Sequence, residues 1–118
     1  MFADYRVPQI LHHLHILTYP PSFLRLLKSG YEFEHGSREE VSIRAASIVA
    51  VERVRDEILS LRNQSKETAG AATVGWECGL DVPICSVLID FYLWDAAKRS
   101  EDAGETVVPP HRTRSIWY

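Results

Sequence analysis

The residues best suited to chemistry open the chain. Asp4 is followed by Tyr5 and Arg6, and then by apolar residues at Val7, Ile10, Leu11, Leu14, Ile16 and Leu17, a spacing of three and four that marks one face of a helix. Asp4 therefore stands at or just before a helix N-terminus, where an Asp caps free N–H groups and where the helix dipole favours an anion. Spacing alone fits a plain N-cap as well as a carboxylate presented to a ligand. Tyr5 and Arg6 could line a sugar or phosphate pocket, or Arg6 could pair with a nearby carboxylate. Further along, Trp94 and Asp95 could stack on and hydrogen-bond a planar base, although an aromatic at helical spacing also serves as core. His111, Arg112 and Arg114 could hold a phosphate through charge-assisted hydrogen bonds, or form a solvated, salt-bridged tail. His12, His13 and His15 suggest a metal, yet no His-x-x-x-His pair or adjacent acidic ligand completes a site, so no metal or cofactor is expected.

The elements that must position these residues are helical. Tyr19-Pro20-Pro21-Ser22 breaks the first helix, and Phe23, Leu24, Leu26 and Leu27 form a second, closed by Ser29-Gly30. In Gly36-Ser37-Arg38-Glu39-Glu40, Ser37 can cap and Glu40 can reach back as the third residue of a capping box. Val41, Ala45, Ile48, Val49, Val51, Val54, Ile58 and Leu61 then give a long helix its apolar face. Residues 62–83 carry scattered Gly and polar residues and read as a loop or insertion. Helical spacing returns with Ile84, Val87, Leu88, Phe91, Tyr92 and Leu93, ends at Asp95-Ala96-Ala97-Lys98-Arg99, and is closed by Gly104 and Pro109-Pro110. From His111 to Tyr118 the chain alternates enough to run extended, with its aromatic end against the body. The expectation is an all-α chain of about four helices.

Four segments carry a family resemblance. They are Phe2-Ala3-Asp4-Tyr5-Arg6-Val7-Pro8-Gln9-Ile10-Leu11, Glu40-Val41-Ser42-Ile43-Arg44-Ala45-Ala46-Ser47, Leu88-Ile89-Asp90-Phe91-Tyr92-Leu93-Trp94-Asp95 and Pro110-His111-Arg112-Thr113-Arg114-Ser115-Ile116-Trp117-Tyr118. In this order they resemble successive blocks of the queuosine-salvage family. The resemblance implies residues 1–118 as the C-terminal part of a single domain similar to helix-hairpin-helix DNA glycosylases. It also implies hydrolysis of the N-glycosidic bond of queuosine 5'-phosphate, with Asp4 at the position of the family's catalytic aspartate. Breaking that bond builds positive charge on the ribose, which a fixed carboxylate stabilises while orienting or deprotonating the attacking water. The chain departs from the family pattern at His15 (usually Gly), Ser42 (usually Glu) and Val49 (usually Trp). Family members carry a long N-terminal region that contributes to the active site, so a missing N-terminal half or a partner chain is expected to complete the pocket. The alternative is a non-catalytic helical interaction module, or a truncated relic, that binds a partner through an apolar surface.

Bulk properties bound the remaining classes. With 118 residues the chain fits one domain, and 46% hydrophobic and 25% charged residues are an ordinary globular balance. Thirteen basic residues are outnumbered by sixteen acidic ones, giving a net charge of -3, which disfavours bulk nucleic-acid binding. No apolar run is long enough for a membrane span, no signal peptide is evident, and a cytoplasmic location is expected. Cys78 and Cys85 make neither a zinc framework nor an expected disulfide.

Overall fold

The computed structural model describes residues 4–68 and 83–114. Among the described residues four helices carry the fold: α1 Arg6–His13, α2 Pro21–Lys28, α3 Arg38–Thr68 and α4 Ser86–Asp102. Two short strands, β1 Glu32–Phe33 and β2 Arg112–Thr113, pair in parallel with Glu32 opposite Arg112 and Phe33 opposite Thr113. The class is all-α, as the periodicity requires.

Helix α1 is shorter than its apolar pattern. It stops at His13 because His15 turns left-handed at φ 59°, and the Ile16 and His15 N–H groups fold back onto the Leu11 and His12 carbonyls. This is the paired-bond ending that normally takes Gly at the left-handed position, as Gly30 does after α2. Ile16 and Leu17 therefore lie beyond the helix and not on its face. At the start of α2, Pro21 takes the first position, where its missing N–H would have had no partner.

Helix α3 begins as the capping box foretold. The Glu40 N–H donates to Ser37 Oγ at 3.4 Å, and the Glu40 carboxylate accepts one residue further back than expected, from the Gly36 N–H at 3.2 Å. Its far end corrects the sequence reading, since the helix continues through residue 68, into the segment assigned to a loop. Arg62, Asn63 and Gln64 add no apolar face, but Gly and Pro are absent up to Glu67-Thr68 and several of these residues are good helix formers, so an established helix propagates. The rest of the expected loop, residues 69–82 with Cys78, lies outside the described residues, as does the aromatic end Trp117-Tyr118. Strand β1 was not foreseen; two residues give no readable alternation.

The main core joins three helices. Val7, Ile10 and Leu11 of α1 meet Ala50 and Val51 of α3 and Ile89, Leu93 and Ala97 of α4, and burying each Val, Ile or Leu among them stabilises by about 1.5–3 kcal/mol. A second cluster of Tyr19, Leu27, Phe33 and Ile43 holds α2 and β1 against the start of α3. The Tyr19 hydroxyl donates to the Pro8 carbonyl at 2.6 Å, and its ring stacks on His12 at 4.2 Å. Gln9 donates to the Val108 carbonyl at 2.8 Å, fixing the segment that leads to β2. The first helix is thus clamped on every side that the core provides. Among the described residues no helix is long and apolar enough to cross a membrane.

Candidate active site

Asp4 occupies the place that the sequence assigns to it. Its Oδ1 accepts the Arg6 N–H at 2.9 Å and the Val7 N–H at 3.1 Å, the pattern of an N-capping carboxylate one residue before the assigned helix boundary. Both bonds fall on Oδ1, so Oδ2 is not used by the cap. Pro8, lacking an N–H, sits at the end of the first turn. A carboxylate so held, at the positive end of α1, is fixed in direction.

Asp4 lines an open cavity of about 710 Å³ together with Asp90, Phe91, Tyr92, Trp94 and Asp95 of α4. That volume is in the range of small-molecule sites. The sequence block around Trp94 and Asp95 therefore meets the Asp4 block across one cavity, which the packing of α1 on α4 produces. Phe91 and Asp95 are four apart, as are Asp90 and Trp94, so the helix turns them toward neighbouring parts of one surface. Phe91 and Tyr92 are exposed by 67% and 65%, and Trp94 by 39%.

Arg6 is engaged elsewhere. Its Nη1 donates to Glu101 at 2.9 Å, and its guanidinium lies 5.0 Å from the Trp94 ring centre and 5.5 Å from that of Tyr5. The Glu101 hydrogen bond outweighs desolvation and raises the Arg6 pKa, with Tyr5 adding to the effect. Arg6 thus braces Trp94 and Tyr5 and does not line the cavity. Of the two roles open to it, ion pairing is the one the geometry displays.

The three candidates of the tail part company. His111 is 1% exposed, beneath the surface, whereas Arg112 and Arg114 are exposed and Arg114 pairs with Glu32 at 2.7 Å. None of the three lines the Asp4 cavity. Burial, with Arg44 nearby, pushes the His111 imidazole down to about 4, while Glu40 and Asp4 act in the opposite sense. The imidazole is therefore neutral at physiological pH. Glu40 is buried as well; desolvation opposes its ionisation, but Arg44 and the Gly36 N–H outweigh it and its carboxyl pKa is lowered. The histidines of the first helix disperse: His12 Nδ1 lies 3.0 Å from the Leu17 carbonyl, and His13 Nε2 lies 2.9 Å from Glu105. Among the described residues no group of three His, Cys, Asp or Glu side chains is placed to hold a metal.

Sequence reasoning missed Asp90. It lies in the apolar stretch between Ile89 and Leu93, is only 9% exposed, and lines the cavity beside Asp4. An acid set among the buried positions of α4 was the available signal.

Curated relatives named queuosine 5'-phosphate N-glycosylase/hydrolase are similar to this chain at 40% identity over 118 residues in Mus musculus, 41% over 120 in Bos taurus and 40% over 117 in Sphaerobacter thermophilus. Each match covers 99–100% of this chain but only 29–31% of the relative, so the chain spans under a third of their length. The family model described as queuosine salvage protein matches residues 1–118, and the chain belongs to that family.

Proposed function

We propose that this chain supplies the catalytic carboxylate and one wall of a site that hydrolyses queuosine 5'-phosphate to queuine and ribose 5-phosphate. Asp4 carries the reading, because it caps α1 through Oδ1 alone and stands at the edge of an aromatic-lined cavity. In the reaction the C1'–N bond breaks with its electron pair leaving on the base, and positive charge grows on the ribose. Asp4 stabilises that charge and takes a proton from the attacking water as its oxygen bonds to C1'; that proton is released to solvent as water protonates the departing base, so the net change adds OH to C1' and H to the base. Queuine is a 7-deazapurine and lacks the ring nitrogen that ordinary purine hydrolases protonate, which increases the demand on the carboxylate. Trp94 offers a face on which the base stacks, held in place by Arg6 beneath it.

The cavity is open, and a glycosidic site must exclude bulk water. Further polypeptide, corresponding to the unmatched two-thirds of the relatives, closes it in this proposal. The test measures queuine released from queuosine 5'-phosphate by the chain alone and by the chain mixed with the remaining segment of the mouse relative, each with Asp4 or Asp4→Asn. Release by the completed protein, reduced by about 100-fold or more in the Asp4→Asn variant, supports the assignment. Equal release by both versions removes Asp4 from the mechanism. The interaction-module reading rests on a groove of about 630 Å³ that Ile16, Leu17, Ala46, Val49 and Val54 line along α3, and it gains if no combination releases queuine while the two polypeptides still associate.

A further inference from the structure

Val49, Arg53, Glu57 and Leu61 follow one another at intervals of four along α3. On a helix this spacing stacks them in a single ridge, about 18 Å from first to last. All four are exposed, and Val49, Arg53 and Glu57 also line the groove that Ile16 and Leu17 flank. Arg53 and Glu57 have no ion-pair partner among the described residues, whereas their neighbour Arg55 pairs with both Glu52 and Asp56. A cation four residues ahead of an anion is the less favourable order for pairing along a helix, so the two charges do little for each other within one chain.

In either direction the ridge runs apolar, charged, charged, apolar, with the two charges of opposite sign. Against a copy turned end for end, Arg53 faces Glu57, Glu57 faces Arg53, and Val49 and Leu61 face each other at both ends. A parallel copy sets Arg53 on Arg53 and Glu57 on Glu57 and is repelled. A two-fold axis needs this self-complementarity, since each contact occurs twice with the roles exchanged. We propose that the ridge over residues 49–61 of α3 joins two copies of this chain in an antiparallel dimer. Leu61 of one copy enters the hollow that Ile16 and Leu17 form beside Val49 of the other, and removing these apolar side chains from water supplies the main attraction. The charge pairs at the centre fix direction and register. Ala45 and Ala46, exposed beside the ridge, are small enough for the two helices to approach closely. The groove shares no residue with the cavity beside Asp4, so the dimer does not depend on the hydrolase reading.

Sedimentation velocity of the 118-residue chain at rising concentration is the test, with charge reversals on the exposed ridge and circular dichroism to verify equal helix content. The unaltered chain sediments as a monomer–dimer mixture in the micromolar range. Arg53→Glu or Glu57→Arg sets like charges opposite each other twice, and each weakens the dimer by about tenfold. The double reversal R53E/E57R restores it. Mixing the two single variants restores it as well, because each reversed charge then meets its opposite, and this rescue also shows that the variants are folded. A chain that stays monomeric at about 100 µM overturns the proposal. So does a dimer indifferent to both reversals, which then uses another face, and so does weakening that neither double reversal nor mixing rescues, since the register is then not antiparallel. A monomeric chain that instead binds the remaining segment of the mouse relative, with loss of binding on Arg53→Glu, gives the groove to that polypeptide and overturns self-pairing.

Discussion

His111 is fully enclosed where the chain enters β2, with Arg44, Glu40 and Asp4 acting on it electrostatically. Its pKa of about 4 in the fold lies below the ordinary histidine value of 6.5, so between these values the unfolded chain binds a proton that the folded chain does not. Stability from this group is complete above pH 6.5 and is lost as pH falls toward 4, by on the order of 3 kcal/mol in all. Urea unfolding at intervals from pH 7 to 4 should show this decline, and His111→Gln should flatten it. The lowered carboxyl of Glu40 acts in the same direction but in a more acidic window, because its contribution is present above the ordinary carboxylate pKa and disappears only as pH falls through its folded value. An undiminished slope in His111→Gln would assign the acid sensitivity to carboxylates instead. The tail motif shows how far a sequence reaches at this scale. His111, Arg112 and Arg114 share composition with a phosphate site, but alternation along an extended segment sends His111 and Thr113 inward and the two arginines outward. Asp4 was legible because capping is local; the burial of Asp90 depends on which face of α4 meets α1.

At the scale of elements, helix starts were readable and helix ends were less so. Ser37 and Glu40 mark the start of α3 through side chains in the first turn, while the end of α3 at Thr68 has no comparable chemical mark before Gly70. The end of α1 is the instructive case. Apolar spacing runs on to Leu17, but His15 adopts φ 59° and the chain turns, placing a non-glycine residue in the left-handed region that favours Gly. A side chain in this region costs about 1 kcal/mol or more relative to Gly. His15 is exposed, so its removal takes away no core contact. His15→Gly should therefore stabilise the chain by about 0.5–1 kcal/mol, after allowing for the greater freedom of glycine when unfolded. His15→Val should destabilise it, since a β-branched side chain fits the left-handed region worse. Thermal melts of the three proteins check the order Gly above His above Val. If His15→Gly melts lower, the histidine makes a contact that its exposure does not suggest, and the turn is not the strained feature.

The whole molecule is elongated, 55 × 30 × 26 Å with a radius of gyration of 17.2 Å, against about 13–14 Å for a compact domain of this length. The 31 residues of α3 account for this, being roughly 46 Å of helix. A helix that outreaches its partners leaves apolar residues in solvent. Val49 is 52% exposed, and it joins Ile16, Leu17, Ala46 and Val54 around a groove of about 630 Å³ that neighbours a smaller one lined by Tyr19 and Phe23. The apolar surface expected of an interaction module is thus partly realised on α3 and on the turn after α1. Exposed apolar patches of this kind promote association. Val49→Lys places a good helix former with a solvated charge in the groove, so the unfolding free energy of the chain should change by no more than about 0.5 kcal/mol. Self-association in sedimentation, and binding of a hydrophobic dye, should both fall. The two readouts separate surface from core: a large loss of stability would mean that the chain buries Val49 in solution, against its own copies or by a different docking of α3. Unchanged stability with diminished association instead assigns the groove to intermolecular contact, the role that closing polypeptide would take in the proposed hydrolase.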